Sequence, residues 1–386
     1  MLCFTRLISI HVMLLPAMAL VAAPAEPVAL STWKDMEQAV KQLPTYAPLS
    51  FSGVAFFHGK LYVSSNAGLW VISGTTAEAL LRFRTDDAVV EGPWLDRAND
   101  CLWIQQAADI GLFRFDGRRW ESVDFPQTQL TRGDVLNGFR IIAGRRSTWL
   151  IGAGKAWRFN PSQHSWTMES VPVSPLSTVI LIDDLPLFVG LSPRSNTVLE
   201  QYIKRVDAGD TKAKAELEAL VRDPLLLQQP APVYVVSGKA TSQVPDRTSK
   251  PFVPAKVAST IDSAYVCTRH GDVARVTRAE IASVEAPGQC EAIAADSKGT
   301  IAASFARLGL YELSNHGWSM RVPAPLGRDL GPHYTYLAKD GDRMAYAISR
   351  KASLSRTEQI IHSRTTALFV GQKSQLVPVH IPGLSP

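Results

Sequence analysis

Apolar residues in this chain come in short runs, each closed by Gly, Pro, Asn, Asp or His. One set of runs has an aromatic or branched residue near its middle: KLYVSS (60–65), CLWIQQ (101–106), STWLIG (147–152), PLFVGL (186–191), AYVCTR (264–269), TIAASF (300–305) and MAYAIS (344–349). These runs are too brief for helices and are bounded by turn residues, the signature of buried β-strands.

The segment after each run recurs as well. GLFRFDGRRW (111–120) has the same outline as GLYELSNHGW (309–318), and KAWRFNPSQHSW (155–166) and GLWVISG (68–74) repeat it less completely. The outline is a strand opening on Gly-Leu-aromatic or similar, a tight turn, and an outer strand. In GLFRFDGRRW the Asp116-Gly117 pair is expected to supply the positive backbone angles of the turn, with Phe113 or Phe115 packing between units. The unit is roughly 40 to 50 residues long, a period that marks propellers and solenoids. Four short strands per unit predict the blade of a β-propeller. The chain divides into seven units, at 51–86, 87–130, 131–174, 175–250, 251–286, 287–328 and 329–386. Units 4 and 5 are the least regular, which leaves six or eight blades open. The expected fold is therefore all-β, a single propeller over 51–386.

A Leu-Trp strand followed by GLFRFDG and then Trp resembles the propeller repeats in the sensor regions of bacterial two-component regulators. The resemblance is clear in blades 2 and 6 and partial in blades 1 and 3. It implies an exported propeller that senses a ligand or a partner. The chain has one ring of blades and no kinase segment, so it is not a complete sensor of that kind.

Two stretches break the β pattern. In STWKDMEQAVKQL (31–43), Thr32 and Asp35 have capping-box spacing and Trp33, Met36, Val40 and Leu43 share one helical face. This predicts a short N-terminal helix, within a lead-in at 26–50, packed on the outside of the propeller. In 196–230, Val198, Tyr202 and Val206 repeat at helical spacing, Asp210 can cap a second helix, and Ala213, Leu217 and Val221 repeat again. This predicts a helical hairpin inserted in blade 4.

The first residues set the compartment. Arg6 precedes an apolar run from Leu7 to Ala23, interrupted by His11 and Pro16, and small residues come after it. That is the layout of a secretory signal peptide, 1–25, cleaved after Ala25, with Ala22 and Ala23 as alternatives. The run is too short for a membrane span. The expected product is periplasmic or secreted, not membrane-embedded, and a monomer. Of the 386 residues, 46% are hydrophobic and only 19% charged, with 25 Gly and 25 Pro, which describes a large core with many turns. The net charge of +5 is mild and no long run of like charge occurs, which argues against nucleic acid as a partner. Cys101, Cys267 and Cys290 remain after processing. Cys267 and Cys290 fall on neighbouring units and are the expected disulfide pair.

A propeller's loops between its second and third strands, and those between blades, open on one face, and binding groups sit on such loops. The helical insertion belongs to that loop face. Gln105, Gln106, Lys155, Arg194, Arg269, His270, Arg307, Arg350 and Lys351 are the candidate binding residues there, a ring of cations suited to an anionic ligand or an acidic protein surface. Metal, hydrolase and phosphate-loop motifs are missing: there is no H-E-x-x-H, no G-x-S-x-G and no cysteine cluster, and IGAGKAW (151–157) lacks phosphate-loop spacing. No cofactor is expected. The paired acids Asp183-Asp184 fall on the opposite face. Asp86 and Asp87 fall on the loop face and would be the acid and base of an enzyme. The expected function is non-catalytic binding of a protein or an anion, with a propeller hydrolase or lyase acting on a glycan or lactone as the alternative.

Overall fold

The computed structural model describes residues 51–386 except 66–67, 83–89, 107–110, 125, 127–138, 153, 174–175, 191–200, 203, 207, 214, 217–230, 238, 324–332, 351–366, 373–374, 380 and 382–386. The signal peptide and the N-terminal helix lie outside these residues, as does most of the predicted hairpin. Within the hairpin region, helical backbone is present at 201–206 and 211–216 where described, and the Asp210 carboxylate accepts the Ala213 N–H at 2.9 Å, as an N-cap does.

Seven four-stranded antiparallel sheets form, each a simple meander in sequence order. The first strand of every sheet is innermost: Phe51–Phe57, Val90–Asp96, Phe139–Ala143, Leu176–Ile182, Pro254–Ser259, Cys290–Ala295 and His333–Asp340. Successive first strands touch one another, and the seventh touches the first. The fold is thus a closed seven-bladed propeller around a central channel. Each blade's 1–2 and 3–4 turns lie at one end of the channel. Its 2–3 loops and blade-to-blade connections lie at the other.

No single core exists. The buried apolar residues divide into seven clusters, one in each wedge between adjacent blades. Strand alternation produces this directly, because successive side chains point to opposite faces. In Gly111–Phe115, Phe113 and Phe115 join the wedge with blade 1, whereas Leu112 joins the wedge with blade 3. In Leu176–Ile182, Val179 and Leu181 face blade 3, and Ile180 and Ile182 face blade 5.

The Asp116-Gly117 turn differs from expectation in one respect. Gly117 takes φ 94°, but Asp116 is not among the residues with positive φ. Its carboxylate acts instead, accepting the N–H groups of Arg118 and Arg119 at 2.7 and 2.6 Å, an Asx turn that needs no left-handed backbone at the aspartate.

Polar clasps complete the wedges at the turn end. Asp96, fully buried, accepts from Trp103 Nε1 at 2.8 Å, Thr148 Oγ1 at 2.6 Å and Asn99 Nδ2 at 2.8 Å, and so ties blade 2 to blade 3. Asp184 does the same between blades 3 and 4, accepting from the backbone of Arg146 and Ser147 and from Ser147 Oγ. At the loop end, Cys267 and Cys290 form a disulfide between blades 5 and 6, with Cα atoms 5.5 Å apart. Cys101 is a buried free thiol whose pKa burial pushes up to about 12.

Candidate functional site

Each inner strand begins at the loop end, so its opening residues line the channel mouth there. Five of the seven strands carry a register irregularity at this point, between Phe51/Gly53, Glu91/Trp94, Leu176/Thr178, Pro254/Lys256 and Cys290/Ala292. A bulge lets a strand re-aim a side chain out of the regular alternation. The second residue of the seven inner strands is Ser52, Glu91, Arg140, Ser177, Ala255, Glu291 and Tyr334, a mainly polar ring within otherwise apolar strands.

Charged groups from several blades converge at this level. Glu91 of blade 2 and Arg140 of blade 3 interact electrostatically, as do Arg140 and Arg269 of blade 5. Lys256 of blade 5 also feels Arg140, and its Nζ lies 4.8 Å from the ring centre of Tyr336 in blade 7. That contact passes blade 6 by way of the channel. Arg140 and Glu91 are exposed to water, and the neighbouring strands desolvate their charged groups in part. That desolvation holds the Glu91 carboxyl above its ordinary pKa, with Arg140 opposing, and holds the Arg140 guanidinium below its own. Lys256 is lowered by burial first and then by Arg140. Tyr336 is pushed up to about 12 by burial, then by Tyr334 and Glu91. Among the described residues, no carboxylate is in ion-pair contact with Arg140, Lys256 or Arg269. Arg140 thus interacts with the carboxylate of Glu91 and with the cations Lys256 and Arg269 of blade 5.

The turn end of the same channel is cross-linked between blades. Arg145, in the 1–2 turn of blade 3, donates from Nη2 to the carbonyl of Ser297 in the 1–2 turn of blade 6, 3.3 Å away. Arg97, in the turn of blade 2, is enclosed among Asp296, Arg145 and Asp340, with burial lowering its pKa and the two acids opposing. Lys339 is buried there, 3.8 Å from Asp296 and 3.7 Å from Glu312. A shallow depression on this side lies between blades 4 and 5, bordered by Asp183, Ile261 and Asp262.

Of the residues singled out from sequence, Arg269 is exposed and in electrostatic reach of Arg140. His270 is half-buried, with its Nε2 enclosed and unpartnered among the described residues. Lys155 opens the third strand of blade 3, and Arg307 sits in the 2–3 turn of blade 6 with φ 62°. Gln105 is not a loop residue: it pairs with Glu91 inside the sheet and is 3% exposed. Gln106 and Arg350 end second strands. Arg194, Lys351, Asp86 and Asp87 lie outside the described residues. Asp183 and Asp184 occupy the 1–2 turn of blade 4 with φ of 46° and 62°, on the turn side. Among the described residues no three His, Cys, Asp or Glu side chains gather as a metal site would require, and no helix is long and apolar enough to cross a membrane. Glu91, Arg140, Lys256 and Tyr336 were not singled out from sequence.

No family model matches the chain, and no curated protein matches it. Solved structures do resemble it in shape. The extracellular domain of BT4673 from B. thetaiotaomicron, described as a hybrid two component system, aligns at 11% identity and TM-score 0.48 over 86% of this chain. The alignment covers 38% of that chain, so the present protein spans well under half of it. Hsv2 of Kluyvelomyces marxianus aligns at 7% identity and TM-score 0.46, covering 86% of this chain and 100% of that one. The Pan2 WD40 domain of Neurospora crassa aligns at 9% identity and TM-score 0.48, covering 80% and 89%. At these identities the likeness concerns fold alone, and the fold is a seven-bladed β-propeller.

Proposed function

We propose that the chain is an exported, non-catalytic propeller that binds an anionic ligand, or an acidic group on a protein partner, at the loop-side mouth of its channel. One observation carries this reading. Arg140, Lys256 and Arg269 come from two blades into electrostatic reach of one another without an ion-paired carboxylate among the described residues. Like charges held together in a partly desolvated site raise each other's energy, and an anion relieves it. Envelope factor, toxin-neutralising protein and sensor are the roles such a mouth would serve, with the insertion at 196–230 as a specificity element on the same face. Export rests on the signal-peptide layout of 1–25. A hydrolase would require two carboxylates converging on one substrate; Glu91 interacts with Arg140, whereas Glu291 Oε2 accepts from the Tyr346 hydroxyl of blade 7 at 3.5 Å.

Titration calorimetry with sulfate tests the reading on the full chain and on Arg140→Gln. The variant is expected to bind about tenfold more weakly, the effect of losing one charge-assisted contact, with its thermal transition unchanged. Equal affinity in the two proteins, or no binding by either, overturns the assignment.

A further inference from the structure

We infer that the ligand of the mouth is a small aromatic carboxylate, its carboxylate held by Lys256 and its ring resting on Tyr334 and against Val257. The inference rests on the anion-binding reading above and adds the uncharged part of the ligand.

Exposure singles these residues out. Among the described residues, the large apolar side chains left in water are Met168, Val257, Ile261, Met320, Tyr334 and Val377. Met168, Met320 and Val377 stand on outer strands, and Ile261 follows the inner strand of blade 5 in a turn. Of the six, only Val257, 37% exposed, and Tyr334, 44% exposed, stand on inner strands, each within four residues of the loop end. Apolar surface that a channel strand leaves uncovered is available to whatever enters the channel.

One contact fixes how these two strands face each other. Lys256, next to Val257 on blade 5, places its Nζ 4.8 Å from the ring centre of Tyr336 on blade 7. The inner strand of blade 6 between them reads CEAIAA, and its short alanine side chains leave space for that crossing. Tyr334 and Tyr336 are two residues apart on one strand, so their side chains share a face at a spacing of about 7 Å. The Lys256 ammonium thus lies over the deeper ring of a tyrosine pair whose outer ring is exposed at the mouth. Among the described residues no carboxylate is in ion-pair contact with Lys256. An ammonium takes a carboxylate as its counter-ion. A ring attached to that carboxylate then falls on Tyr334, where offset stacking is favourable, with Val257 as the facing wall. A sugar acid fits these walls less well, since its hydroxyls would leave water for a valine side chain and a ring face.

Titration calorimetry of the full chain with benzoate, acetate, benzyl alcohol and glucuronate tests this. Benzoate is expected to bind about tenfold more tightly than acetate, the worth of one stacked and partly buried ring. Benzyl alcohol, which keeps the ring and lacks the charge, should bind about tenfold more weakly than benzoate. Tyr334→Ala is expected to bring benzoate down to the affinity of acetate and to leave acetate unchanged, whereas Tyr334→Phe, which keeps the ring, retains the advantage. Lys256→Gln is expected to weaken benzoate and acetate together, about tenfold. Lys256→Arg, which keeps the charge, should bind both, and it stands in should Lys256→Gln fail to fold. Acetate equal to benzoate in the wild type, glucuronate tighter than benzoate, or an advantage that survives Tyr334→Ala overturns the inference and leaves the anion-binding reading standing. Binding of none of these ligands, nor of sulfate, overturns both.

Discussion

The two ends of the channel carry similar residues and put them to opposite use. At the turn end, arginine and lysine meet acids and carbonyls: Arg145 with Ser297, Arg97 with Asp296 and Asp340, Lys339 with Asp296 and Glu312. The charges there are balanced and cross-linked, so little remains for a ligand to gain. At the loop end, Arg140 lies in electrostatic reach of Lys256 and Arg269 as well as of Glu91. The lesson is that charge count alone does not locate a site. What distinguishes the mouth is a group of neighbouring cations with no ion-paired carboxylate among the described residues.

The strongest way to break this contrast acts on the turn end. Asp96→Ala leaves the Trp103 indole, the Thr148 hydroxyl and the Asn99 amide without their buried acceptor. It should cost about 3 kcal/mol of stability in urea denaturation, with sulfate affinity of the folded protein unchanged. A change in affinity as large as the change in stability would show that the two ends do not divide structure from binding.

A smaller effect belongs to the loop end and to pH. Burial holds Glu91 above the usual carboxylate range and Lys256 below the usual ammonium range. As pH rises through the raised Glu91 value, the mouth gains a negative charge, and at the alkaline end Lys256 loses a positive one. Both steps weaken anion binding. Sulfate, whose own charge is constant over this range, should therefore bind several-fold more weakly at each step when titrated from acid to alkaline pH. A flat profile, or one rising with pH, would contradict the arrangement of charges described.

The smallest effect sharpens the comparison. Arg145→Ala removes one exposed bond across the turn end and should cost under about 1 kcal/mol, with sulfate affinity unaltered. A large loss of affinity would place the binding determinant at the wrong end.

Much of the architecture was legible in the sequence because a blade imposes its own grammar. Seven second strands, their spacing and the Gly-Leu-aromatic openings all reflect local rules of strand and turn. The face of Asp183-Asp184 came from the same repeat, and so did the placing of Cys267 and Cys290 on neighbouring blades. The mouth was harder to read. Arg269 stands in a loop, where a charge attracts notice, but Arg140 in FRIIA and Lys256 in PAKVAS look like ordinary polar positions of half-exposed strands. Only closure of the ring brings opening residues of the inner strands, such as Arg140 and Lys256, into reach of one another. A signal was present: the column Ser52, Glu91, Arg140, Ser177, Ala255, Glu291, Tyr334 stays mainly polar in the most enclosed strand of each blade. Gln105 shows the converse error, since a polar letter at a strand's end reads as loop and is in fact buried beside Glu91.

The wedge between blades 7 and 1 differs from the other six in one way. Each blade is built from consecutive chain, and among the described residues no strand is exchanged across this boundary. Phe51 N–H donates to Ser349 Oγ, Arg343 lies 4.8 Å from the Phe56 ring centre, and Val379 and Ile381 join the apolar cluster there. Blade 7 is in effect a tethered ligand of blade 1, docked without a shared strand ladder at an effective concentration set by the remaining blades. The circle is a string whose two ends recognise each other, and the geometry of the mouth is inherited from that act of self-recognition.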